Sequence, residues 1–157
     1  MIGNYEVTFV EGMYPQSVSG AVDGNYVSMK GYDHCTIVIN CGVNAGASSI
    51  TVNKATDVSE TDEVAYAFDY MWTNDGAPTL SALTKTAVTD NTFDVDVAQS
   101  MYVIEIPAAS IKAGSTTEYD CIQVAFGAAS ATTLCSATYV LWKGRYKSDT
   151  PIEPLTD

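Results

Sequence analysis

Apolar and polar residues alternate with a period of two along most of the chain, the pattern of strands that bury one face. In the clearest run, Cys35, Ile37, Ile39 and Cys41 fall on one side. Similar runs, rich in the Thr, Val, Ile and Tyr residues that favour strands, occur at Ser49–Asn53, Val64–Trp72, Met101–Ile106, Tyr119–Phe126 and Ala137–Tyr146. The pattern therefore predicts an all-β protein.

Segments with turn-forming residues separate these runs. They lie at Gly42–Gly46, Asn74-Asp75-Gly76, Ala113–Ser115 and from Gly127 onward. About seven or eight short strands at this spacing favour a β-sandwich or jelly roll with extended N- and C-terminal arms. No helical stripe extends beyond two turns, and Leu80–Leu83 and Ala108–Lys112 are predicted as single helical turns.

The length of 157 residues fits one domain with a substantial core. Its predicted parts are an N-terminal arm with the first short strands at 1–31, a β-sandwich core at 32–147 and an extended C-terminal tail at 148–157. Two interpretations of the tail stay open. It is a disordered end, or it is an arm that docks through Ile152 and Leu155 between its prolines.

The charge balance restricts the partners. The chain has 19 acidic and 7 basic residues and a net charge of −12, which disfavours binding to nucleic acid and to anionic membranes. No apolar run is long enough to span a bilayer, and Met1–Glu6 has no basic or apolar signal region. We expect synthesis and folding in a cytoplasm.

The sequence offers little for catalysis. The single histidine, His34, is adjacent to Cys35 in a predicted strand, so the two side chains would point to opposite faces and would not act together. Phosphate-binding and nucleophile-elbow motifs are absent from the sequence. We therefore predict a protein that is not an enzyme, without catalytic residues or cofactors.

Cysteines and carboxylates are the remaining candidate ligands for a metal. Cys35, Cys41, Cys121 and Cys135 include no close pair of the zinc-binding kind, so they are interpreted as buried thiols, with a disulfide or a reactive thiol as the alternative. The acidic run Asp57–Glu63 is interpreted as a solvated loop, with calcium or a glycosidase carboxylate pair as alternatives. No metal site is predicted.

A short basic strip stands out near the C-terminus. Lys143, Arg145 and Lys147 would share one face of a strand, opposite Trp142 and Tyr146. Such a strip either meets an acidic partner or protects an exposed sheet edge by its charge. The predicted partner-binding residues are Lys143, Arg145, Lys147, Pro151, Ile152 and Leu155.

Four segments, in order across residues 27–157, resemble small β-structured proteins found among the head genes of tailed bacteriophages. They are Val27–Ile39, Phe68–Asn74, Tyr119–Val124 and Tyr139–Tyr146. The resemblance implies a virion structural protein, a capsid decoration (cement) protein on the capsid exterior. Its implied partners are the major capsid protein, whose subunits it would bridge, and copies of itself in a trimer. The resemblance implies no catalytic residues.

Two other functions stay open. A tail-tube or head–tail joining protein is also small and β-rich. A glycan-binding jelly-roll module of a fibre would use aromatic rings, and Tyr70, Trp72, Trp142 and Tyr146 are candidates for stacking on sugars, although packing in the core is the preferred interpretation of these rings.

Overall fold

A computed structural model describes residues 7–74, 82–96 and 98–144. In this part of the chain nearly every regular element is a strand. The elements are β1 (Val7–Ser17), β2 (Val22–Asp23), β3 (Val27–Ser28), β4 (Tyr32–Asn44), β5 (Ser48–Ala55), β6 (Val64–Ala65), β7 (Tyr70–Asn74), β8 (Thr84–Ala87), β9 (Thr92–Val95), β10 (Ser100–Pro107), α1 (Ala108–Lys112), β11 (Cys121–Phe126) and β12 (Thr133–Gly144). The helical turn predicted at Ala108–Lys112 is confirmed.

The strands form two antiparallel sheets that pack together, which confirms the prediction of an all-β sandwich. The first sheet has the order β1-β12-β4-β10-β7-β8. In the second sheet the order is β2-β11-β5-β6, with β3 also paired to β11 and β9 to β5. The described residues contain more strands than predicted, because several, such as β2, β3 and β6, have only two residues.

The centre of the first sheet follows the alternation seen in the sequence. Cys35, Ile37 and Ile39 of β4 are fully buried, as predicted for one face of this run. Their neighbours across the strands are equally apolar, since Ile37 pairs with Tyr139 of β12 and with Ile104 of β10. These residues fill the space between the sheets, where burying each large side chain contributes about 1.5–3 kcal/mol.

Tyr139 joins the two sheets through its hydroxyl group. The hydroxyl donates to the carbonyl of Asn25 at 2.9 Å and accepts the backbone N–H of Val124, on β11, at 3.1 Å. Gly12 lies against the ring, and a Cβ at that position would stand 2.7 Å from a ring carbon. The absence of a side chain at Gly12 therefore lets β1 pass over this central tyrosine.

The run Val64–Trp72, predicted as one strand, is two strands in different sheets. β6 belongs to the second sheet and β7 to the first, so the chain crosses the sandwich between them. Tyr66 and Phe68 are buried before the crossing, but after it Met71 is buried and Tyr70 is exposed. Even-numbered residues point inward before the crossing, and an odd-numbered residue does so after it. The sequence does not reveal this change, because its apolar residues stay at even-numbered positions throughout the run.

The first 31 residues contribute more to the sandwich than the predicted arm with short strands suggests. β1 runs along β12 for 11 residues at the edge of the first sheet, with register breaks on either side of Met13. Met13 and Val18 belong to the core. The predicted tail at 148–157 and the Asp75-Gly76 part of the predicted turn lie outside the described residues.

Candidate interaction surface

The outer face of the first sheet is rich in apolar side chains, and we call it the apolar face. Strand register places its members side by side on the surface that points away from the core. They are Val7, Phe9, Val38, Tyr70, Trp72, Met101, Val103, Val140 and Trp142. Phe9 is the most exposed, at 61%. Among the described strand residues of this face, the charged side chains are Glu11, Lys85 and Glu105.

One end of the apolar face carries a stacked pair of rings. Trp142 of β12 lies opposite His34 of β4, and their ring centroids are 4.4 Å apart at an interplanar angle of 18°. The indole N–H of Trp142 donates to the hydroxyl of Thr36 at 2.9 Å. These contacts fix the orientation of the indole, which stays half-buried.

Lys143 lies next to this stack, and its position corrects the sequence prediction. Its backbone has a φ of +55°, in the left-handed region, and this breaks the alternation at the end of β12. The Nζ atom therefore lies 4.9 Å from the ring centroid of Trp142 instead of on the opposite face. The other predicted partner-binding residues, Arg145, Lys147, Pro151, Ile152 and Leu155, lie outside the described residues.

The interpretation of Lys143 as protection for a sheet edge does not fit the topology. β12 lies between β1 and β4, and Trp142 pairs with both Val7 and His34. The edges of the first sheet are β1 and β8. The basic residue at the end of β12 therefore borders the apolar face rather than an open edge.

A second group of aromatic residues occupies the other side of the apolar face. Tyr70 and Trp72 on β7 meet edge to face, with centroids 6.5 Å apart. The Nζ atom of Lys85, on the edge strand β8, lies 3.7 Å from the centroid of Tyr70, a cation–π geometry. Tyr70, Trp72 and Trp142 thus lie at the surface, so their interpretation as core residues is wrong.

The outer side of the second sheet has the opposite character, and we call it the polar face. Thr51 of β5 contacts Thr92 of β9 through their hydroxyl groups at 3.2 Å. Asp94 lies opposite Ser49 in the next pair. Ser, Thr, Asn and Asp side chains therefore occupy positions equivalent to those that hold Val and Trp on the other sheet.

The acidic loop Asp57–Glu63 covers one end of the polar face. The Asp57 carboxylate accepts the backbone N–H of Ser59 at 2.8 Å and that of Thr61 at 3.2 Å. Hydrogen bonds from Thr61, then from Ser59, hold the pKa of Asp57 below its usual value. Glu63 accepts the hydroxyl of Tyr26 at 2.5 Å, which ties the loop to the sheet.

These carboxylates do not converge as metal ligands do. Within residues 7–74, 82–96 and 98–144, no group of three or more His, Cys, Asp or Glu side chains is arranged to hold a metal ion. In the same residues, no helix has the length and hydrophobicity to cross a membrane.

The histidine and the cysteines occupy separate environments. His34 lies on the apolar face, while Cys35 is fully buried, as the alternation predicted. Burial raises the pKa of the Cys35 thiol. All four cysteines are free and buried, which confirms their interpretation as buried thiols.

A cleft of about 240 Å³ lies beside α1 and is separate from both faces. Its lining includes Met29, Ile111 and Lys112 together with Lys30 and Asp120, which form an ion pair at 3.6 Å. This mixture of one apolar wall and paired charges gives no single ligand chemistry.

Comparison with family models, with curated proteins and with solved structures finds no match for this chain. The resemblance to phage head proteins thus stays a prediction. The apolar face was missed in the sequence because its residues come from five strands whose order the sequence does not give. The signal available was the apolar character of the outward positions, Val38 and Val140 among them, in runs whose other side was already apolar.

Proposed function

We propose that this protein is a non-enzymatic virion structural protein that decorates the outside of a tailed-phage capsid. It stabilises the shell by bridging subunits of the major capsid protein. The observation that carries this proposal is the contrast between the two outer surfaces of one small sandwich. One surface carries large apolar side chains among uncharged polar ones and bears few charges, whereas the other is polar and acidic.

The apolar face has the composition of a protein-binding surface. Interface cores are depleted in charged residues and enriched in aromatic residues and Met, and contiguous exposed apolar patches on small proteins mark interaction sites. The outer surface of the whole first sheet, whose strands have 4 to 13 residues and lie about 4.8 Å apart, covers roughly 800 Å². That is close to the area that each partner contributes to a standard interface, about 800 Å².

The acidic side suits an exposed position on a particle. Carboxylates of the loop Asp57–Glu63 and of β9 point away from the apolar face. If the apolar face is docked on the shell, this side faces solvent, where net charge keeps particles apart and soluble. Packed DNA would repel the same surface inside the head, which supports an exterior location.

Residues near the end of β12 would extend the contact. Lys143 borders the apolar face beside Trp142, and Arg145 and Lys147 follow it in the sequence. The proposal gives the strip and the segment with Pro151, Ile152 and Leu155 a role in binding the capsid protein or a second copy in a trimer.

Tryptophan fluorescence tests this proposal directly. The chain has 2 tryptophans, and both Trp72 and Trp142 lie half-buried on the apolar face. Titration of the protein onto undecorated phage heads should give saturable cosedimentation at a fixed ratio to the capsid subunit. Binding should shift the tryptophan emission to shorter wavelength and reduce its quenching by acrylamide. Decorated heads should survive heating better than bare heads.

The outcomes separate the alternatives. Binding without protection of the tryptophans would place the contact elsewhere on the molecule. No binding, with rings or tubes formed by the protein alone, would favour a tail-tube or head–tail joining protein. Replacement of Lys143, Arg145 and Lys147 by Ser should weaken binding without unfolding the sandwich, and unchanged occupancy would remove the strip from the contact.

A glycan-binding module is the second candidate. Tyr70 is exposed, and Trp72 and Trp142 lie half-buried at the surface, which favours this function because accessible rings can stack on sugars. A glycan array distinguishes it from the first proposal, since a capsid decoration protein has no need to select a sugar.

A further inference from the structure

Two cysteines of the first sheet face each other inside the sandwich. Cys41 on β4 and Cys135 on β12 are direct partners in the antiparallel register. Their side chains are 3% and 2% exposed, and their Sγ atoms lie 2.8 Å apart. Sulfur atoms that share no bond ordinarily stay farther apart than this, so the pair is already close to bonding distance.

The backbone around this pair suits a covalent link. Opposed residues of an antiparallel sheet have Cα atoms about 4.5–5.5 Å apart, and disulfides span Cα separations of about 4.4–6.8 Å. An S–S bond is about 2.05 Å long, so the sulfurs need to approach by roughly 0.8 Å from 2.8 Å. The pair lies directly after a register shift between Thr133 and Cys135.

The two sulfurs also differ in their chemistry. Either sulfur can be the donor in this contact, and the contact lowers the pKa of Cys135 while it raises the pKa of Cys41. Cys135 is thus the better nucleophile, since the thiolate is the reactive form. Cys41 is held beside it as the second thiol.

The other two cysteines lack this arrangement. Cys35 has Leu141 and Ile106 as its partners across the strands. Cys121 donates its S–H to the carboxylate of Asp120 at 3.1 Å. Burial, together with this contact, raises the pKa of Cys121 to about 12. Both therefore serve as internal comparisons for the reactivity of the pair.

We propose that Cys41 and Cys135 form an oxidation site that a small peroxide converts into an intrachain disulfide between β4 and β12. The Cys135 thiolate attacks one oxygen of hydrogen peroxide, the O–O bond breaks, and a sulfenic acid forms. The hydroxide that leaves takes up a proton and becomes water.

In the second step the sulfur of Cys41 attacks the sulfur of Cys135. The S–O bond breaks, and the hydroxyl group leaves with the proton of the Cys41 thiol as a second water. Two thiols lose two electrons and two protons in total, and one peroxide is reduced to two waters. Hydrogen peroxide is about the size of water, so local opening of the sheet suffices for its entry.

The bond would link residues 94 positions apart on adjacent strands in the interior of the first sheet. Closing so long a loop restricts the unfolded chain, so the oxidised protein should melt roughly 5–15 °C higher than the reduced protein. Thiols stay reduced in a cytoplasm and oxidise outside it, so the site would close after release from the cell.

The test uses the full chain, reduced and then exposed to a small excess of hydrogen peroxide. Alkylation under denaturing conditions followed by mass spectrometry should find four free thiols before treatment and two after it. Peptide mapping should join the segment with Cys41 to the segment with Cys135 in one chain, with a loss of two hydrogens. Dithiothreitol should restore four thiols and the lower melting temperature.

Two variants provide the matched comparison. Cys135→Ala should abolish the cross-link, whereas Cys121→Ala should leave it unchanged. Peptide mapping of the unaltered chain tests the proposal even if neither variant folds. Four thiols remaining after treatment, sulfinic acid in place of the cross-link, a bond between two chains, or a bond that includes Cys35 or Cys121 would overturn the proposal.

Discussion

The two sheets of this sandwich bury similar inner faces but present different outer ones. The central strand β4 of the first sheet turns Val38 outward, between Thr138 and Val103. The central strand β5 of the second sheet turns Thr51 outward, between Thr92 and Ala125. Both positions are half-buried, so burial alone does not explain the choice of side chain.

The difference shows that the outward-facing residues of a strand indicate what that face of the sheet contacts. Packing of the core requires one apolar side, and an antiparallel sheet exposed to water normally has polar residues on the other. The second sheet follows this rule. The first sheet departs from it with Val38, Trp72 and Val140, which indicates that its outer surface is adapted to something other than water.

The largest expected effect comes from placing a charge at the centre of the apolar face. Val38→Glu should weaken attachment to phage heads by roughly 30-fold or more, because an unpaired carboxylate would be buried in the contact. The matched variant Thr51→Glu adds the same charge to the polar face. Its attachment should equal that of the unaltered protein in a sedimentation titration.

Equal losses in the two variants would end the distinction between the faces. Circular dichroism of both variants provides the control for folding, since each residue lies half-buried on a central strand and is replaced by Glu.

A smaller effect is expected where the sheets are joined. Tyr139→Phe removes the hydroxyl that contacts Asn25 and Val124 and should lower the free energy of unfolding by about 1–3 kcal/mol. Tyr14, 58% exposed, provides the control, and Tyr14→Phe should change nothing. Urea titration followed by tryptophan emission, which reports on the apolar face, and by far-UV dichroism should give one shared midpoint. Separate midpoints would show that the two faces unfold independently.

The smallest effect concerns the acidic loop on the polar side. The pKa of Asp57 is lowered in the folded protein by hydrogen bonds from Thr61 and Ser59. Its contribution to stability is therefore present above its ordinary pKa, about 3.9, and disappears as the pH falls through the lower folded value.

Asp57→Asn should consequently flatten the acid limb of the stability profile, measured as urea midpoints from about pH 5 to pH 2. Asp62→Asn removes the same charge from the same loop and should leave that limb steeper than Asp57→Asn does. The apolar face should keep its attachment in both variants, since the loop lies on the other sheet.

The sequence was most informative where a strand is long and stays in one sheet. The alternation at Cys35–Cys41 predicted the buried face of β4 correctly, and it separated His34 from Cys35. It failed at Val64–Trp72, because the chain leaves one sheet and enters the other within that run. Local periodicity contains no information about such a crossing.

Parts of the candidate surface depend on pairings that no local pattern contains. Trp142 meets His34, and Cys41 meets Cys135, only because β12 lies beside β4. The position of Lys143 depends on a left-handed backbone at a residue type that rarely adopts it. The observed surface therefore differs from the predicted strip for two reasons, which are the long-range order of the strands and one unusual dihedral angle.

The place of β12 in the first sheet also sets the order of events during synthesis. It is the last strand of the described chain, yet it lies between β1, the first, and β4. β4 therefore has an open hydrogen-bonding edge, and β1 has no strand to pair with, until residues up to 144 have left the ribosome. Closure of the sandwich therefore depends on contacts distant in sequence, a topology that folds slowly, and its folding rate should respond most to substitutions in β12.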